Sequence, residues 1–117
     1  MSYDIDLVHP VTKEVLRIDQ KHDMRGGTYC VGGTDECHLN VTYNYAKHFI
    51  RVIPEGIRSL YGKSGAESLP ILDAAIAKLG DDVDDDYWKA TEGNAKAALL
   101  QLRALALLRL DGVWAVD

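Results

Sequence analysis

The sequence predicts an α+β fold: an antiparallel sheet of about four strands from the N-terminal half packs on two or three helices from the C-terminal half. Apolar and polar residues alternate in short stretches before residue 45, as they do in half-buried strands. The second half instead repeats its apolar residues at helical spacing. A chain of 117 residues forms one domain, 1–117, around a single core.

The first predicted hairpin lies near the N-terminus. Residues 3–8 and 14–18 both alternate, and His9 and Pro10 introduce a turn between them. Residues 20–24 are polar, so we expect them to connect this hairpin to the next strand.

The second predicted hairpin joins residues 28–31 to residues 37–45 through a loop at 32–35. This register places Cys30 opposite Cys37, and in a reducing compartment two packed thiols are favoured over a disulfide. Alternation assigns one face of the longer strand to Leu39, Val41, Tyr43 and Tyr45. The opposite face is polar and contains His38, Asn40, Thr42 and Asn44.

The first helical segments are short. Residues 48–53 form a short helix or the end of the preceding strand, and residues 56–61 form a single helical turn. A longer helix begins at the N-cap Ser68, carries Pro70 in its first turn and ends at Leu79.

The last helix begins at Thr91 or Asn94 and ends near Leu110. Its leucines point in nearly every direction, which is typical of a central core helix. The alternative is a homo-oligomer in which residues 94–110 form the subunit contact. Residues 113–116 then add a terminal strand or pack as a tail.

The charge of the chain limits its partners. A net charge of −5 argues against direct nucleic-acid binding, which requires a basic face. No segment has the length and apolar content of a membrane span, and no secretory signal is recognisable, so we expect a cytoplasmic protein without membrane contact. Much of the negative charge lies in one run, which consists of Asp81, Asp82, Asp84, Asp85 and Asp86. The remaining charges nearly balance, so a local basic pocket is compatible with the composition.

A first glycine-framed segment has the composition of an anion site. Gly26 and Gly27 offer consecutive backbone amides between Arg25 and Thr28, and the arginine fork suits phosphate or carboxylate. The structural alternative is a glycine-rich entry into a strand with a solvated arginine.

A second segment concentrates Arg58, Tyr61 and Lys63 between glycines. Tyr61 suits stacking on a base, while Arg58 and Lys63 suit contacts with phosphate. The alternative is a surface loop with solvated cations. The polar strand face, with Asn40, Thr42 and Asn44, is either a ligand-binding array or a solvated outer face.

Neither catalysis nor metal binding is predicted. The cysteines and histidines lack the spacing of a zinc motif, and no motif marks a nucleophile with its oxyanion hole. We therefore expect no catalytic residue, no cofactor and no metal site.

The chain resembles a group of small bacteriophage and prophage proteins in several segments. These are residues 24–29, 31–34, 39–45, 56–58, 60–63, 65–68, 91–95 and 111–114, so the resemblance covers almost the whole chain. It implies an origin as a small accessory phage protein that interferes with a host system, and it implies no activity. Cys30 and Cys37 depart from the usual pattern of small apolar residues, which argues against a cysteine nucleophile or metal ligand.

We therefore predict a protein that binds a small anionic ligand, such as a nucleotide, without catalysis. One wall of its site contains residues 25–28 with Asn40, Thr42 and Asn44; the other contains Arg58, Tyr61 and Lys63. The alternative is a protein-interaction module that inhibits a host nucleic-acid enzyme through the acidic loop at 81–86.

Overall fold

A computed structural model describes residues 2–22 and 33–117, and it confirms the α+β prediction. The strands are β1 (Ser2–Val8), β2 (Arg17–His22), β3 (Thr34–Glu36), β4 (His38–Thr42) and β5 (Val113–Val116). The helices are α1 (Ala46–Val52), α2 (Gly65–Ala77) and α3 (Glu92–Leu108), with short 3₁₀ helices at Tyr43–Tyr45 and Ile57–Leu60. None of the helices in these ranges has the length and apolar character needed to cross a membrane.

The strand β1 is the centre of a three-stranded antiparallel sheet with the order β4–β1–β5. Asp4 of β1 lies opposite Asn40 of β4, and Leu7 lies opposite Trp114 of β5. Residues 113–116 are therefore a strand, and the sheet draws on both halves of the chain.

The strands β2 and β3 form a separate two-stranded sheet. The predicted first hairpin is reduced to an isolated bridge between Val8 and Val15, after which the chain turns away to pair with β3. Strand residues therefore occupy part of the predicted loop at 32–35 and part of the predicted connector at 20–24. Both predictions were wrong there, because the long-range pairing of two polar segments leaves no local alternation to detect.

A ring of three backbone hydrogen bonds joins the two sheets. Leu7 donates its N–H to the C=O of Cys37, Cys37 donates to Leu16, and Leu16 donates to Leu7, each over 2.9 Å. All three residues are buried. The ring satisfies backbone groups where the strands diverge, so the junction carries no unpaired peptide group at these positions.

The helix α2 begins earlier than predicted. Ser64 is its N-cap and forms a reciprocal capping box with Glu67, whereas Ser68 is buried and donates to the C=O of Gly65. The predicted cap was wrong because a capping box pairs two side chains with two backbone amides and so stabilises the earlier start. Thr91 caps α3, which was one of the two predicted starts.

The helix α3 is a core helix. Leu99, Leu102 and Leu105 are fully buried and pack in one cluster with residues of the three-stranded sheet, such as Ile5 and Leu39. The contact with α2 covers part of its remaining surface. This confirms the first interpretation of the leucine-rich segment.

The acidic run closes the N-terminal end of α3. The Asp82 carboxylate accepts the N–H of Gly93 at 3.0 Å. The buried side chain of Asn94 accepts the N–H of Asp84 and donates to the C=O groups of Asp86 and Lys89. The loop therefore lies directly against the first turn of the helix.

Gly93→Ala is expected to lower the free energy of unfolding by about 2 kcal/mol. A Cβ at this position would lie 2.5 Å from the backbone nitrogen of Val83, so the loop must move. Chemical denaturation measures the change. Gly80→Ala is the matched control, since the nearest atom to its Cβ is a side-chain oxygen 3.7 Å away. Equal effects of the two substitutions would contradict the close approach of loop and helix.

Candidate functional site

The guanidinium of Arg58 rests on two tyrosine rings. Its Cζ lies 5.0 Å from the ring centroid of Tyr3 and 5.4 Å from that of Tyr43, and Nη2 donates to the Tyr43 hydroxyl at 2.9 Å. The two rings pack edge to face at 4.6 Å. Burial raises the pKa of Tyr3 although Arg58 opposes the change. The arginine is therefore held in one orientation by neutral aromatic partners.

The 3₁₀ helix Ile57–Leu60 places this arginine at the surface. Gly56 precedes it with a φ of 79°, a conformation that glycine adopts without strain. Ile57 and Leu60 point into the core, whereas Arg58 is exposed. Tyr61 follows this helix as its C-cap and is 69% exposed.

Lys63 is fixed to the same surface through its backbone. Its C=O accepts the N–H of Trp114 at 2.9 Å, and the N–H of Gly62 donates to the C=O of Trp114. The structure therefore ties the segment 58–63 to β5, and Arg58, Tyr61 and Lys63 all lie on this one segment.

Arg58 differs from the other arginines within residues 2–22 and 33–117. Arg17 pairs with Asp35, Arg51 with Glu92, Arg103 with Asp73 and Arg109 with Asp111. No carboxylate of these ranges forms an ion pair with Arg58, in a chain with 18 acidic residues. An oriented guanidinium without a counter-ion is the arrangement that a ligand anion requires.

The polar face of β4 is largely paired internally. Asn40 donates to the Ser2 hydroxyl at 2.8 Å and to the Asp4 carboxylate at 2.9 Å. His38 Nδ1 and the Asp6 carboxylate are 2.6 Å apart. These cross-strand contacts make this face of the sheet a self-satisfied polar surface.

Thr42 is the last residue of β4, where it pairs with Ser2, and Asn44 lies beyond the end of the strand. Thr42 is buried and its hydroxyl caps the following 3₁₀ helix by accepting the N–H of Asn44. Asn44 donates its side-chain amide to the C=O of Trp88. The prediction that residues 43–45 continue the strand was wrong, and the structure does not bring Asn40, Thr42 and Asn44 to one open wall.

The first glycine-framed segment, with Arg25, Gly26, Gly27 and Thr28, lies outside the described residues. Cys30 also lies outside them, whereas Cys37 is buried. Burial raises the pKa of the Cys37 thiol, which lowers its reactivity. In the ranges that the structure describes, no three His, Cys, Asp or Glu side chains lie close enough to hold a metal ion.

Sequence reasoning missed a cavity of about 490 Å³ between β2 and the C-terminal end of α3. Its lining includes Arg17, Lys21, Leu108 and Arg109. The two arginines form ion pairs, Arg17 with two carboxylates and Arg109 with Asp111, which compensate their charge. The cavity is therefore less suited to an anion than its residue types suggest.

The acidic loop uses most of its carboxylates internally. Asp81 pairs with Lys96 at 2.6 Å, and Asp82 binds the first turn of α3. Asp84 and Asp86 each accept a backbone N–H two residues further on, and the hydrogen bond from Asp86 lowers the pKa of Asp84. Asp85 is exposed and has no such partner in the described chain.

Two exposed apolar side chains accompany these carboxylates. Val83 is 67% exposed and Trp88 is 55% exposed, and the Trp88 ring packs edge to face on Tyr87 at 5.1 Å. Sequence reasoning did not identify these two residues, because apolar side chains in a loop can equally be covered by the rest of the chain.

Comparison of the chain with protein-family models, curated proteins and solved structures returns no match. The resemblance to phage proteins therefore stays a prediction.

The His38–Asp6 pair predicts a pH-dependent stability. The hydrogen bond to Asp6 raises the pKa of His38, against the effect of burial. Stabilisation is full below the unfolded pKa of about 6.5 and is lost as the pH rises through the higher folded value. Relative to Asp6→Asn, the wild type should lose about 1 kcal/mol of unfolding free energy between pH 6 and pH 9, measured by urea denaturation. A difference that stays constant across this range would contradict the pairing.

Proposed function

We propose that this protein binds a small anionic ligand without catalysis, and that Arg58 is the residue that holds the anion. The proposal depends on one observation: the guanidinium of Arg58 packs on the rings of Tyr3 and Tyr43. This arginine is exposed and has no carboxylate partner in the described chain. The tyrosines fix its orientation before a ligand arrives, so little side-chain entropy is lost on binding.

The neighbouring side chains favour a nucleotide as the ligand class. Tyr61 offers an exposed ring on which a base can stack, and Lys63 supplies a second cation in the same segment. Together with the resemblance to phage proteins, this supports a role in sequestering a nucleotide in the host cytoplasm against a host defence system.

Arg58→Gln is expected to weaken binding of ATP, used as the probe, by about 10- to 100-fold, because charge-assisted hydrogen bonds to the phosphates are lost. Arg58→Lys keeps the charge and should lose less. Tyr61→Ser should weaken ATP but leave inorganic pyrophosphate unchanged, since pyrophosphate has no base to stack. Isothermal titration calorimetry measures each dissociation constant.

Lys78→Gln is the control for these substitutions. It removes one exposed positive charge at the far end of α2, about 20 Å from the start of that helix. If Arg58→Gln and Lys78→Gln weakened ATP binding equally, the change in net charge alone would explain the loss of affinity. The absence of binding by the wild type to either probe at millimolar concentration would contradict the proposal.

The second candidate function is protein interaction through the acidic loop at 81–86, directed at a host nucleic-acid enzyme. The exposure of Val83 and Trp88 favours it, because tryptophan is enriched among residues that dominate binding energy. The carboxylate of Asp85, which has no partner among residues 2–22 and 33–117, adds a charge that a basic surface can meet.

A lysine- and arginine-rich peptide tests this second function by fluorescence anisotropy. Wild-type protein should bind it in a salt-dependent manner, and the double variant Asp85→Asn/Trp88→Ser should bind at least about 10-fold more weakly. Asp73→Asn removes a carboxylate outside the loop and serves as the control. Binding that is unaffected by the double variant would exclude the loop as the interaction site.

A further inference from the structure

The helices α2 and α3 present apolar side chains away from the core as well as towards it. We define the outer helical face by six residues at matching spacing: Pro70, Ala74 and Ala77 of α2, and Leu100, Ala104 and Leu107 of α3. Leu100 is 44% exposed and Leu107 is 49% exposed. Each set follows the i, i+4, i+7 pattern that places residues on one side of a helix.

This composition is unusual for a surface. A helix that packs on a sheet normally turns charged and polar residues to the solvent. The buried residues of α3, among them Leu102 and Leu105, already supply its core contact. The leucines of the outer helical face keep nearly half of their surface exposed within the described chain.

We propose that the outer helical face binds the same face of a second copy of this chain around a twofold axis. The inference does not depend on anion binding. Twofold contacts are self-complementary, so one surface has to offer both halves of each interaction. The composition of the face allows this, because α3 contributes two leucines and α2 contributes two alanines, Ala74 and Ala77, that are small enough to accept them.

The charges at the middle of the face are also self-complementary. Arg103 Nε donates to Asp73 Oδ1 at 2.6 Å, and both side chains remain accessible, at 39% and 53%. The two terminal nitrogens of Arg103 have no acceptor within the described residues. A twofold axis beside this pair brings each arginine to the partner's Asp73 and produces an alternating ring of four charges. A lipid surface offers no such counterpart and would leave the pair desolvated.

The size of the face fits a reversible dimer. The 13 residues of α2 extend for about 20 Å, and two packed helices are about 20 Å wide. The product of this length and width is on the order of 400 Å², and the accessible surface is larger because side chains project from the helices. Standard stable interfaces bury about 800 Å² per partner, so we expect association in the micromolar range.

Sedimentation equilibrium of the wild-type protein tests the proposal. The protein concentrations range from about 1 to about 200 µM, so that they lie on both sides of the expected dissociation constant. The dimer fraction should rise with concentration. The double variant Leu100→Glu/Leu107→Glu should raise the dissociation constant by more than about 100-fold. Val11→Glu is the matched control, since Val11 is 79% exposed in the turn after β1.

A wild type that stays monomeric throughout would overturn the proposal. A dimer that persists in the double leucine variant would also overturn it, because the contact would lie on another face. Circular dichroism of each variant establishes that it is folded.

Charge exchange tests the twofold geometry separately. Asp73→Arg and Arg103→Asp should each abolish the homodimer, because each brings like charges together at the centre of the face. An equimolar mixture of the two variants should restore association through opposite charges. Failure of the mixture to associate, with both variants folded, would reject the twofold contact.

Discussion

The central strand β1 is the constraint on which the rest of the structure depends. It pairs with β4 on one side and with β5 on the other, so it joins the N-terminal and C-terminal parts of the chain. Near its C-terminal end, Leu7 belongs to the backbone ring that attaches the second sheet. Near its N-terminal end, Tyr3 supports the guanidinium of Arg58. The aromatic support of the candidate anion site therefore comes partly from the strand that is paired on both sides.

The distribution of charge separates this site from its surroundings. Most cations near α3 and β2 form ion pairs with neighbouring carboxylates. In the acidic loop, Asp81 and Asp82 bind residues of α3. Tyrosines, which carry no charge, support Arg58 instead. The cavity is lined by residues 17–22, Leu108 and Arg109, whereas Arg58 lies against the rings of Tyr3 and Tyr43. The cavity and the arginine are therefore distinct features of the surface.

Sequence patterns predicted the strands and helices that depend mainly on residues close together in the chain. Alternation identified β4 and the burial of Leu39 and Val41, and one of the two predicted caps, Thr91, is the start of α3. Sequence patterns did not predict the features that depend on the pairing of distant segments. The pairing of β2 with β3 and the place of β5 depend on contacts far apart in the chain. The composition of residues 58–63 indicated an anion site, but its aromatic support comes from Tyr3, 55 residues away in the sequence.

The central claim is that Arg58 contacts the anion directly. Nuclear magnetic resonance of the ¹⁵N-labelled protein, titrated with ATP, tests it by following the Nε–H signal of each arginine. The account predicts a saturable shift of the Arg58 signal together with the backbone amide of Tyr61. A titration in which only the signals of Arg17 and Arg109 move, with Arg58 unchanged, would contradict it and assign the anion to the cavity.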